Sequence, residues 1–290
     1  MAYKVAVCQN KGGVGKTNEV INLAVGLVVE HDLRVRVVDL DPQSDASAAL
    51  GFEVDGPEDD AITVLEVIER AWRQHRLVTG TAADAIQQCR WDVPWRDKLT
   101  FIPSRFDLED AHVVMPNRDA FLRLRAGMEG TDDDVDVLIY DCPPSLGILP
   151  QMAWADSDDV LLVTQPSFRS YRGLFRTHAQ LLYVREQLLV PDLDYVGLII
   201  NGHRSGTQNH KYWERRIVEE FASGQNEGKH WGTVPLRARL ARLDDELLPV
   251  ALMPETDAKE RELKAELTGF YRPAVDRLHK FATTTVTEEV

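Results

Sequence analysis

The chain of 290 residues carries a formal net charge of −14, with 44% hydrophobic and 28% charged residues, which is ordinary for a soluble globular protein. It is long enough for one large α/β domain or two small ones. No apolar stretch approaches the ~20 residues of a membrane helix, and Met1–Asn10 shows no export signal. Cys8, Cys89 and Cys142 are scattered and lack metal spacing, and a reducing cytoplasm is expected.

The first predicted strand, YKVAVCQ, runs into QNKGGVGKTNEV and then a helix over Thr17–His31. The ordinary phosphate-loop pattern G-x-x-x-x-G-K-[ST] needs a glycine five residues before Gly15. Asn10 stands there instead, and a second lysine, Lys11, follows it. Gly12, Gly13 and Gly15, with Val14 between them, permit backbone geometries that aim amides at phosphate oxygens. The helix beginning near Lys16 adds its positive end. Lys16 suits the β- and γ-phosphates, and the Thr17 hydroxyl suits Mg²⁺.

Next comes RVRVVDLDPQ, a strand that ends in two carboxylates, Asp39 and Asp41. At the carboxyl end of a strand in an open α/β sheet they lie where ligands bind. One of the two is suited to the metal shell and the other to placing an attacking water. A helix is expected over Ile62–His75, with EVDGPEDD before it and EGTDDD further on as surface loops. LTFIPS and DVLIYD read as strands, the latter ending in Asp141, the placement of a metal-supporting Walker-B carboxylate. The strand DVLLVTQ, a helix over Tyr171–Leu189, the strand YVGLIIN, a helix over Lys211–Phe221 and the strand HWGTVP complete the series. Near-continuous apolar strands alternating with amphipathic helices predict an α/β fold. Its sheet is doubly wound and mostly parallel, with helices on both faces. One domain over residues 1–290 is expected.

Charge is uneven. Residues 165–242 hold 12 Lys/Arg against 7 Asp/Glu, a local +5, while the remainder holds 21 basic and 40 acidic residues. A basic third inside an acidic chain is a candidate polyanion surface.

KGGVGKT, VVDLDPQSDASAALG, DVLIYDCPPSLG and VTQPSFRSYRGL together resemble the ParA family of DNA-partitioning ATPases, P-loop NTPases of the deviant Walker-A group. The resemblance runs from Tyr3 to about Ala282 and thins after Arg204. It implies ATP and Mg²⁺ as ligands and a homodimer formed on ATP, with Lys11 reaching the partner's nucleotide. A cation supplied in trans offsets repulsion between two phosphate-loaded faces, as an arginine finger does. It further implies phosphate contact by Lys16, water activation by Asp41, and metal support by Thr17, Asp39 and Asp141. Asn18 stands where a second Thr or Ser is usual, which implies altered nucleotide affinity. TVPLRARL is similar to a base-contacting segment, with Pro235 kept and Leu236 where arginine is usual; Asn201 and Pro235 are the implied base contacts.

The implied function is non-specific binding of double-stranded DNA by the ATP dimer and release on hydrolysis stimulated by a ParB-like centromere-binding partner. The location would be cytoplasmic and nucleoid-associated. Candidate DNA contacts are Arg204, Lys211, Arg215, Arg216, Arg237, Arg239 and Arg242, while Arg169, Arg172 and Arg176 flank QPSFRSYRGL. Gradient, filament and higher-oligomer mechanisms stay open. A MinD-like positioning ATPase and an ATP-gated DNA-binding regulator with little hydrolysis are the alternatives. The polar, acidic end HKFATTTVTEEV disfavours a membrane anchor, and a first strand at Tyr3 leaves no room for an N-terminal helix-turn-helix domain. Cys8 and Cys142 read as core residues rather than iron–sulfur ligands. His203 and His210 lie in a polar loop without a carboxylate partner, which disfavours a metal site.

Overall fold

Tyr3–Cys8 (β1) turns Val5 and Val7 to one side and Ala6 and Cys8 to the other, and both sides are buried. Side chains alternate across a strand, so a strand covered on both faces is apolar at most positions, and the exception in β1, Lys4, is ion-paired. The computed structural model describes residues 2–52, 61–110, 118–188 and 190–288. From β1 the chain passes through α1 (Lys16–His31), β2 (Val35–Asp39), α2 (Asp45–Leu50) and α3 (Val64–Arg70). A hairpin of β3 (Trp72–Arg73) and β4 (Arg76–Leu77) follows, then β5 (Gln87–Gln88), β6 (Leu99–Ile102) and α4 (Arg123–Met128). Next are β7 (Val137–Asp141), α5 (Ile148–Asp156), β8 (Asp159–Thr164), α6 (Phe168–Leu188) and β9 (Tyr195–His203). α7 (Gln208–Phe221), β10 (His230–Pro235), α8 (Ala238–Asp245) and α9 (Ala258–Glu288) complete the described chain.

One eight-stranded sheet runs in the order β10-β9-β8-β1-β7-β2-β6-β5, parallel throughout except for β5 against β6. α1, α2, α8 and α9 cover one face, where Val5, Val37 and Ile139 meet Leu23, Leu240 and Tyr271. α3 to α7 cover the other, where Ala6, Val38 and Leu162 meet Ile68, Trp154 and Leu174. This is the doubly wound arrangement the alternation predicts. β1 lies between β7 and β8, and the chain leaves β1 through α1 to one side and β7 through α5 to the other. Such a switch point opens a crevice at the carboxyl ends of the strands.

All seven predicted strands are present. The helix expected over Ile62–His75 is shorter. It starts cleanly, because the Glu66 carboxylate accepts from the Thr63 amide at 2.7 Å and its hydroxyl at 2.6 Å. It stops at Arg70, since Gln74 and His75 take φ of 50° and 62° to turn the β3–β4 hairpin. Arg123 caps the Trp72 ring at 5.1 Å, so tertiary contact overrides helix propensity there. α6 begins three residues before the expected Tyr171, and Leu189 and the EVDGPEDD loop lie outside the described residues. EGTDDD forms turns, although Asp132 is buried and pairs with Lys4 at 2.7 Å. α5, α8 and α9 go beyond the predicted helices. α9 is helical because Leu267, Tyr271, Ala274, Val275 and Leu278 recur at helical spacing against α1 and β10.

Gly197 in β9 lies against the buried Trp231 indole of β10, where an added Cβ would overlap the ring. Gly197→Ala is therefore expected to destabilise the fold by about 1–3 kcal/mol. Urea denaturation checks this, and an unchanged midpoint would mean that the indole shifts without cost.

Candidate functional site

β1 ends at Cys8, and the chain turns through residues 9–15 into α1. Gly13 and Gly15 take φ of 67° and 86°, left-handed conformations that let successive amides face one concavity. The loop is held from its neighbours. Gln165 Nε2, just past β8, donates to the Gly13 carbonyl at 2.9 Å, and Asn201 Nδ2, in β9, donates to the Val14 carbonyl at 3.1 Å. Gln9, itself buried, donates to the Thr164 hydroxyl at 3.2 Å and the Ser170 carbonyl at 3.3 Å, which ties the loop to the start of α6.

Lys16 is the first residue of α1 and is buried. Lys11 donates to Gln165 Oε1 at 3.2 Å. Its pKa is lowered by burial and then by the charges of Arg169 and Lys16. Three cations thus converge on the mouth of the glycine loop, an arrangement that calls for a polyanion. A cleft of about 730 Å³ opens here, lined by Gly12, Gly13, Gly15, Lys16, Thr17, Asn18, Asp41, Gln165, Asn201 and Pro235. Asn18 Oδ1 accepts from Asn22 Nδ2 at 2.5 Å, which leaves the Asn18 amide free to donate into the cleft.

The three carboxylates differ in setting. Asp39 and Asp141 are register partners on β2 and β7, and both are buried. Asp39 Oδ2 accepts from the Ser47 amide at 2.9 Å and hydroxyl at 2.6 Å, and Oδ1 accepts from the Asp41 amide at 3.0 Å. Both of its oxygens are thus engaged with its own loop and α2. Asp141 has no hydrogen bond of good geometry on either oxygen, although Lys16 and the Thr17 hydroxyl lie near enough to favour its charged form. Burial, then the neighbouring Asp39 charge, raises the Asp141 pKa well above the carboxylate range. Burial also raises that of Asp39, against its hydrogen bonds. Asp41 is half-exposed on the cleft and accepts from the Gln43 amide at 3.0 Å.

The set fits Mg²⁺. A buried carboxylate with two unused oxygens sits beside a hydroxyl at the phosphate loop, and Mg²⁺ commonly takes one or two protein oxygens with phosphates and water. Among the described residues no three His, Cys, Asp or Glu side chains converge to hold a metal unaided. His203 does have a carboxylate partner, Glu214 at 3.1 Å, contrary to the expectation from sequence, because α7 brings it back beside the end of β9. All three cysteines are free and buried. No described helix is long and apolar enough to cross a membrane.

The seven candidate DNA-contacting cations do not share one helix face. Lys211, Arg215 and Arg216 ride on α7, which packs on one face of the sheet, and Arg237, Arg239 and Arg242 accompany α8 on the other. They flank the β9–β10 end of the sheet from both sides. Arg237 pairs with Glu266 and Arg242 with Glu246, each at 2.8 Å, and Arg215 and Arg216 lie 3.7 Å from Glu219. Among the described residues the side chains of Arg204, Lys211 and Arg239 have no ion pair within 4.0 Å.

Gln165 and Glu19 were not singled out by the sequence. Gln165 carries a signal, a polar residue at a strand's carboxyl end. The signal for Glu19 is a lone acid in an apolar helix run.

The AAA_31 family, described as an AAA domain, matches residues 2–194. The chain is 32% identical over 231 residues to the chromosome partitioning protein ParA of Myxococcus xanthus, covering 74% of this chain and 73% of that one. It is 32% identical over 224 residues to two uncharacterized Mycobacterium tuberculosis proteins, and the match spans 64% of their length. Among solved structures, cobyrinic acid a,c-diamide synthase from Mycobacterium smegmatis with bound ADP and magnesium superposes with a TM-score of 0.69 at 25% identity, covering 97% and 95% of the two chains. The ATP complex of a McdA variant from Cyanothece gives 0.74 at 18% identity over 95% of each chain, a likeness of fold.

Glu19, behind the cleft in α1, is fully buried with neither oxygen hydrogen-bonded. Burial, then Asp244, pushes its pKa up to about 8. Between the ordinary glutamate range and pH 8 the folded state therefore binds the extra proton, so stability falls as pH rises through that window. Glu19→Gln removes this titration. Its advantage in thermal stability over the wild type is expected to grow from pH 6 to pH 8, by at most about 1.4 kcal/mol per pH unit, and to level off above pH 9. Thermal melts across pH test it; a pH-independent difference would contradict it.

Proposed function

The chain belongs to the AAA_31 family of ParA-like ATPases, and from that membership we propose that it is a Mg²⁺-dependent ATPase of DNA partition. In this reading it dimerises around ATP, binds duplex DNA without sequence preference, and is released by hydrolysis that a ParB-like partner stimulates. The observation that carries the reading is the convergence of Lys11, Lys16 and Arg169 on the left-handed Gly13–Gly15 loop beside the unpartnered Asp141.

The residues divide the work by position. Inward amides and Lys16 hold the β- and γ-phosphates, and Thr17 with Asp141 would hold Mg²⁺, which supplies charge neutralisation when bound. Asp39 keeps β2 and α2 together, so that Asp41 stands at the cleft with one oxygen spare to orient the attacking water and accept its proton. Asn201 and Pro235 border the space left for the base, and Asn18 reaches the α-phosphate side. Lys11 leaves Gln165 to meet the nucleotide of the opposing protomer. The whole would act as one ATPase domain in the cytoplasm, on the nucleoid. The exposed cations at the β9–β10 end of the sheet are doubled by dimerisation, which offsets the overall −14 locally and allows counterion release from DNA.

Lys11→Ala is expected to bind ATP near normally, because it acts across the interface, yet to lose roughly 10³-fold in partner-stimulated turnover. Lys16→Ala should instead lose nucleotide affinity. Fluorescent-nucleotide titration with phosphate release separates the two, and wild-type turnover in Lys11→Ala would remove the trans role.

Duplex binding should require ATP and be weak with ADP. If roughly four phosphates are neutralised per dimer, log K falls with log salt at a slope near −3.6. Replacing Arg215 and Arg216 with Glu should weaken all duplexes alike while ATP binding persists. Fluorescence anisotropy at several salt concentrations measures this; tight binding without ATP, or loss at one sequence alone, would count against partition.

A further inference from the structure

Two primary amides grip consecutive carbonyls of the phosphate loop. Gln165 donates to Gly13 O at 2.9 Å and Asn201 donates to Val14 O at 3.1 Å. A trans peptide points its C=O and its N–H in opposite directions. Holding the Gly13 carbonyl outward therefore aims the Val14 N–H into the loop. Holding the Val14 carbonyl does the same for Gly15. Both peptides adjoin left-handed glycines, whose backbone otherwise rotates freely between inward and outward amides.

The gripping side chains come from rigid supports. β8 is hydrogen-bonded directly to β1, and β9 to β8, so both donors are fixed to the sheet that carries the loop. The fit at Asn201 is close enough that a Cβ on Gly15 would overlap its Nδ2. Gln165 also accepts from Lys11 through Oε1 at 3.2 Å, so one side chain sets the loop carbonyl and parks the cation.

We propose that Gln165 and Asn201 are positioning residues, a two-amide clamp that aims the Val14 and Gly15 amides at the nucleotide phosphates. This inference rests on the ATPase reading above. It gives Asn201 a task separate from any contact with the base: its Nδ2 serves the loop, while Oδ1 remains an acceptor toward the cleft. Preorganised donors matter most where the anion's own charge is high, so the clamp bears on phosphate affinity and not on base choice.

Asn201→Leu removes the donor to Val14 without adding a charge. Gln165→Met removes the donor to Gly13, and with it the acceptor for Lys11, again without adding a charge. Calorimetric titration of each full-length variant with MgATP and with MgGTP, beside the wild type, reads the clamp directly. Each variant is expected to lose about tenfold in MgATP affinity, the order of one hydrogen bond. The ratio of MgATP to MgGTP affinity should stay at the wild-type value, and the nucleotide-free melting temperature should fall by no more than about 2–4 °C. Wild-type MgATP affinity in both variants would overturn the clamp. So would a changed ATP-to-GTP ratio in Asn201→Leu, which would make Asn201 a reader of the base. Should Asn201→Leu fail to fold, Gln165→Met at the half-buried rim carries the same test. A wild type that binds no MgATP would defeat the ATPase reading itself, whereas a binding wild type with indifferent variants defeats the clamp alone.

Discussion

Everything at the crevice depends on the crowding of like charge around a loop whose amides face inward. Lys16 is buried at the positive end of α1, Lys11 is half-buried nearby, and Arg169 approaches from α6. Burial and mutual repulsion lower the Lys11 pKa, a sign that these cations destabilise one another in the absence of an anion. A fold sustains such an arrangement only if its stability comes from elsewhere. Here it comes from two apolar layers, one on each face of a sheet whose central strands are almost wholly buried. The crevice can then be built for a ligand instead of for its own stability.

The acidic side follows the same logic. Three carboxylates near the ends of β2 and β7 take different tasks because their surroundings differ. Asp39 is satisfied on both oxygens, and Ser47, which serves it, also accepts from the Ser104 amide at 2.8 Å. That relay joins β2, α2 and the end of β6 into one support. Asp141 is left buried and unsatisfied, a costly state for a carboxylate until a cation arrives. Asp41 alone reaches the open cleft.

Much of this was legible in the sequence because it is local. Seven apolar runs became seven strands, and KGGVGKT, DLD and YDC fell where a doubly wound sheet gathers its ligand-binding ends. What escaped depends on contacts between distant segments. The end of α3 is decided by left-handed Gln74 and His75, and α9 holds its helix because α1 and β10 lie beneath its apolar stripe. Gln165 and Asn201 meet residues about 150 and 190 positions away, through the strand order β9-β8-β1, which no local pattern encodes. The basic third was visible as charge, but only the fold splits its cations between α7 and α8 on opposite faces.

The central claim is that Lys11 and the phosphate loop form half of a site that closes only when two ATP-loaded chains meet. Sedimentation velocity of the wild-type chain with MgATP, with MgADP and without nucleotide tests it most directly. The account predicts a dimer with MgATP and a monomer in the other two conditions. A monomer under saturating MgATP, or a dimer of equal strength without nucleotide, would contradict it.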